Sequence, residues 1–187
     1  HQLMHVYTKI LIERDKNEGK DEKDFKETEF MDSKCHSQLH WFQEGFAELF
    51  AASKPNGDTW DLLYIHRNRL EEWKGSRKAK KDEYPFNEMM RIPNSGVMRR
   101  RAREIGLNPM ESGRLSSLFY AQAWVIAHFL WFGEDGKYRE KFLDYMGKEL
   151  HGKSGYKSWK EVWDKEDDDW AFLEEKVNKH FDELCKQ

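Results

Sequence analysis

A mainly α, single-domain fold is what this sequence predicts, and three observations carry the expectation. Apolar residues recur at three- and four-residue intervals through much of the chain, as amphipathic helices require. No stretch alternates apolar and polar residues convincingly enough to read as a half-buried strand. The most apolar segment, "SSLFYAQAWVIAHFLWFG", has the length of a central buried helix and stops at Gly133. With 187 residues, 38% of them hydrophobic, one sizeable core can form without disulfides or a structural metal.

The elements follow in order. From His1 to Ile12, Leu3, Met4, Val6, Tyr7, Ile10 and Leu11 mark one helical face; the missing N-cap is the pattern of an element that begins further upstream. Between Glu13 and Lys34, 15 of 22 residues are charged, which reads as a solvated insertion. A helix is expected from about His36 to Ala52, ended by Pro55 and Gly57. Another is expected from Trp60 to Trp73, then a lysine-rich stretch and short pieces around "FNEMMRIP". "MRRRAREIGLNP" reads as basic and then turn-like. After the apolar helix, two more run near Tyr138 to Leu150 and Ala171 to Lys186, on either side of "YKSWKEVW".

Charge narrows the classes of partner. The 32 basic and 35 acidic residues leave a formal charge of −3, so no global field draws in nucleic acid or anionic lipid. "MRRRAR" and "RKAKK" lack a recognisable nucleic-acid fold or stacking aromatics, and read as solvated faces. The longest apolar run is too short for a membrane span. Cys35 and Cys185 form at most one bridge, and the compartment stays open.

Few residues have the pattern of a chemical site. His1 and His5 stand one helical turn apart, with Gln2 where an H-E-x-x-H peptidase has glutamate. In "LHWFQEGFAELF", Glu44 and Glu48 share a helix face, and Gly45 opens the neighbouring backbone to close approach. A two-histidine zinc helix needs such a carboxylate as its third ligand, and a second carboxylate one turn on can accept the free ring N–H of a zinc histidine. His36 and His40 align with Glu44 and Glu48, but ligands along one straight helix rise 5.4 Å per turn and do not all converge on one ion. Tyr120 and His128, two turns apart in the apolar helix, read first as hydrogen-bonded core residues.

"HWFQEGFAELFA" resembles the W-x-x-E-G-x-A segment of gluzincin metallopeptidases, the group of aminopeptidase N and thermolysin, and especially the peptidase-MA-like domains of bacterial proteins. "YAQAWVIAHFL" is similar to a helix of those domains, and "HQL" to the end of H-E-x-x-H-Q. The resemblance implies that the chain is the helical C-terminal part of such a domain, binding zinc and hydrolysing peptide or protein substrates. It makes His1 the second histidine ligand and Glu44 the third ligand, with 42 residues between them. Glu48 becomes the partner of a zinc histidine and Tyr120 the hydrogen-bond donor to the oxyanion. The first histidine and the general-base glutamate then fall before His1, so the isolated chain is expected to be inactive. An extracytoplasmic location also rests on the resemblance alone.

Two other readings stay open. One is a non-catalytic helical scaffold that keeps a degenerate peptidase fold. The other is a metal-binding module centred on His36, His40 and Glu44.

Overall fold

The computed structural model describes residues 39–61, 65–78, 83–151, 153 and 155–187, with the backbone alone at 60 and 150. His1, His5, the first predicted helix, the charged insertion, Cys35 and His36 lie outside the described residues. Of the described residues 71% are helical and 4% are in strands, which places the fold in the mainly α class.

Helix α1 (His40–Ala51) leads into a hairpin of β1 (Lys54–Asn56) and β2 (Thr59–Asp61). Helices α2 (Arg67–Lys78), α3 (Phe86–Met89) and α4 (Ser95–Glu104) follow, then the long α5 (Pro109–Gly136). Helices α6 (Arg139–Leu150), α7 (Tyr156–Val162) and α8 (Ala171–Leu184) complete the order.

The hairpin corrects the helix expected from Trp60. Asn56 pairs with Thr59 across the two-residue loop Gly57–Asp58, and Gly57 sits at φ +60°. A glycine at the first central position is what a Gly-X hairpin loop requires. The same Pro55 and Gly57 that end α1 therefore also reverse the chain, and the helix begins only at Arg67.

The basic stretch after Asn94 is also more ordered than expected. The Asn94 side chain accepts from the amides of Gly96 and Val97 at 2.9 and 3.2 Å, which starts α4. Gly106, at φ +75°, then turns the chain.

Helix α5 is the hub, in contact with α1, α2, α4, α6 and α8. Its start is sharply defined: Asn108 accepts from the amides of Met110 and Glu111, Glu111 accepts from the Asn108 amide, and Pro109 occupies the first turn. Regular geometry stops at Gly133 (ψ 145°), as the sequence predicts, and Glu134 and Asp135 follow at φ 48° and 59°. By length and composition alone α5 is long and apolar enough to cross a membrane, longer than the apolar run read from the sequence, and 72% of its most apolar window is buried against the rest of the fold. Burial on nearly every side explains its all-round apolar sequence.

Aromatic packing fills the space beside α1. Trp41 meets the edge of Trp159 at 5.1 Å, and Phe42 meets Tyr145 and Phe142 at 4.8 and 5.0 Å. Buried Gln122 of the "YAQAW" motif is a backbone clamp. Its Oε1 accepts from the Tyr84 amide at 3.2 Å and its Nε2 donates to the Tyr84 carbonyl at 3.1 Å.

His128 is a core residue, as the sequence suggests, and its partner is on α8. Its Nδ1 lies 2.9 Å from His180 Nε2. Burial, and then the neighbouring His180, hold His128 down to about 3 from its ordinary 6.5. The unfolded chain therefore takes up this proton first, so stability is complete above pH 6.5 and falls as pH drops toward 3. Between pH 6.5 and 5 the expected loss from this group is about 2 kcal/mol. Urea midpoints measured over that interval should fall with acidification and flatten in His128→Phe; an unchanged slope would exclude His128 as the source.

Candidate functional site

The site is built where α1 lies on α5. Gly45 makes that approach close, since a Cβ there would sit 2.8 Å from the Ala123 carbonyl carbon and 3.2 Å from Ala127 Cβ. The face of α1 that meets α5 carries His40, Glu44 and Glu48, all buried, at the four-residue spacing of one helical stripe. His40 Nδ1 is 3.6 Å from Glu44 Oε1, and its ring stacks on Phe119 of α5 at 5.2 Å. The α1 amide end is fixed by His40 N–H donating to the Ile92 carbonyl at 2.8 Å.

Glu44 is 8% exposed, so its carboxylate is largely withdrawn from water. Tyr120, half-buried on α5, feels it: burial first, and then the Glu44 charge, push the phenol up, opposed by the nearby Arg69 and Arg99 charges. Tyr120 therefore stays protonated at neutral pH and can donate a hydrogen bond.

Glu48 is clamped by α2 and the residue before it. Arg69 Nη2 donates to one oxygen at 2.6 Å, and His66 Nε2 lies 3.2 Å from the other. Burial alone would raise this carboxyl, but the hydrogen bonds and charges of His66 and Arg69 outweigh it and hold the group at about 2. The guanidinium extends the network, with Nη1 donating to Glu72 at 3.0 Å and Ser117 at 3.2 Å. It also stands 5.6 Å from the centre of the Tyr120 ring. One arginine thus ties α1, α2 and α5 together at the site.

Of the residues singled out from sequence, Glu44, Glu48 and Tyr120 converge here, whereas His1 lies outside the described residues. Sequence reasoning missed Arg69 and His66. Their three-residue spacing at a helix start was a signal for two nitrogen donors on one face, but nothing local identified Glu48 as their target. The donor chemistry suits zinc as far as it goes, since a buried carboxylate and an imidazole are both zinc ligands. Among the described residues no three ligand-type side chains gather closely enough to hold an ion by themselves. Comparison with protein-family models, with curated proteins and with solved structures finds no match.

Proposed function

We propose that this chain contributes the carboxylate side of a zinc-peptidase centre, with Glu44 as a metal ligand and His1 as the imidazole ligand. The observation that carries the reading is that Tyr120 and buried Glu44 both flank His40 at the α1–α5 crossing, with His40 Nδ1 3.6 Å from Glu44 Oε1 and the His40 and Tyr120 rings 6.2 Å apart. Zinc, when bound, would polarise a peptide carbonyl and acidify a water. The chain's own residues supply the remainder. Glu44 offers a buried carboxylate, an oxygen donor of the kind zinc takes. The Tyr120 hydroxyl donates to the carbonyl oxygen as negative charge builds on it. Glu48 is held ionised by His66 and Arg69, one on each oxygen, so accepting the ring N–H of a metal-bound histidine would mean sharing an oxygen with one of them. The substrate class is a peptide or protein.

The 187-residue chain is expected to bind zinc weakly. Calorimetric zinc titration is the test. Loss of an outer-shell partner costs about 10- to 100-fold in metal affinity, so loss of the ligand itself in Glu44→Ala should exceed about tenfold. Equal affinity in Glu44→Ala and the parent chain would remove Glu44 as a ligand. Absence of zinc binding in both would favour the non-catalytic scaffold.

A further inference from the structure

Between α2 and α5 lies a cleft that the zinc reading does not use. Its volume is about 230 Å³, and Glu72, Gly75, Ser76, Arg114 and Leu118 line it. Helical geometry groups Glu72, Gly75 and Ser76 within about 100° of one another on α2, and sets Arg114 and Leu118 one turn apart on α5. One stripe of each helix therefore forms each wall. Pockets for drug-sized ligands begin at about 300 Å³, so this cleft suits a smaller molecule, of the size of one amino acid.

The two charged groups of the cleft do not pair with each other. Arg114 is exposed and makes no ion pair or hydrogen bond among the described residues. The Glu72 carboxylate accepts from Arg69 Nη1 at 3.0 Å through Oε2, which leaves Oε1 for a second donor. Leu118, only 3% exposed, supplies an apolar wall. Gly75 is an independent sign of a ligand. It lies inside α2 without a positive φ, and a Cβ there would meet nothing within 4 Å. Neither backbone nor packing requires a glycine, which weakens a helix relative to alanine. Its missing side chain leaves the α2 backbone bare where it lines the cleft.

An unpaired cation and a half-used carboxylate around an apolar wall select a small zwitterion. A simple anion would meet Arg114 but face the Glu72 charge, and a simple cation would meet Glu72 but face Arg114 and Arg69. A molecule carrying both charges satisfies both walls. Its carboxylate takes the planar Arg114 fork, its ammonium donates to Glu72 Oε1, and its aliphatic part lies against Leu118. We infer that this cleft binds a free aliphatic α-amino acid, held by Arg114 and Glu72 over Leu118 and admitted by the bare backbone at Gly75. No metal enters the inference. Arg69 also joins Glu72 to Glu48, so the cleft adjoins the candidate site through one guanidinium.

Chemical-shift titrations of the full chain with L-leucine, L-leucinamide and N-acetyl-L-leucine test the inference. L-leucine is expected to bind saturably, and removal of either ligand charge should weaken binding by about tenfold. Arg114→Gln should weaken L-leucine by about tenfold and leave L-leucinamide, which has no carboxylate, unchanged. Gly75→Leu should fill the cleft and abolish binding while its unfolding midpoint holds or rises, because leucine is the better helix former. That pairing separates a lost site from a lost fold. No saturable binding of L-leucine would overturn the inference. So would equal affinity for all three ligands, or a Gly75→Leu chain that binds like the parent. Glu44→Ala should leave L-leucine binding intact, which keeps this result separate from the zinc titration.

Discussion

Gly45→Ala is expected to destabilise the fold by about 3 kcal/mol, although alanine is intrinsically the better helix former by about 1 kcal/mol. The added Cβ would meet the Ala123 carbonyl carbon at 2.8 Å and Ala127 Cβ at 3.2 Å. The first of these neighbours is backbone of the central helix and cannot rotate away. Relief requires α1 to lift from α5, which would also carry Glu44 and Glu48 out of register with Tyr120 and Arg69. Gly113→Ala provides the contrast, because a Cβ there meets nothing within 4 Å. That change, at an exposed position within α5, should stabilise the protein by up to about 1 kcal/mol. Denaturant midpoints moving in opposite directions for the two variants are the expected result; a Gly45→Ala protein as stable as the parent would mean that α1 and α5 are not in close contact.

The second large effect belongs to Arg69. Arg69→Met removes the shortest ion-pair contact of Glu48, at 2.6 Å, from a carboxylate that is only 5% exposed. Breaking a buried pair from one side costs about 3 to 5 kcal/mol, more than the pair itself contributes. Glu48→Gln in the same background should therefore recover part of the loss, with a coupling of about 1 to 3 kcal/mol in the double-mutant cycle. The pH dependence has a definite sign. Glu48 has a carboxyl lowered from 4.5 to about 2, so its contribution is present above pH 4.5 and is lost as pH falls from 4.5 through 2. The full contribution is about 3 kcal/mol. Arg69→Met should shrink this acid-sensitive term, whereas the His128 term between pH 6.5 and 3 should persist. Strict additivity of the Glu48 and Arg69 changes would rule out the coupling.

Much of the architecture was legible from local pattern. The three- and four-residue apolar rhythm marked α1, α6 and α8, and the apolar run ending at Gly133 marked the hub α5. The hairpin was not legible. Its strands are three residues each, too short for alternation to register, and its Gly57 also serves as a helix-stop signal. The start of α5 was placed too late because "NPME" reads as a turn until Asn108 and Glu111 are recognised as caps of the same helix.

The site divides along the same line. Spacing within one helix is fixed by the 3.6-residue period, so the sequence alone put Glu44 and Glu48 on one stripe and identified Gly45 as the point of close approach. Pairings between helices depend on which faces the whole chain buries. Only the tertiary structure brought Arg69 to Glu48 across 21 residues and His180 to His128 across 52. The physical reason is range: hydrogen bonding and rotation along a helix act over a single turn, whereas the ionisation of Glu48 and His128 is set by neighbours that arrive only when the core closes around α5.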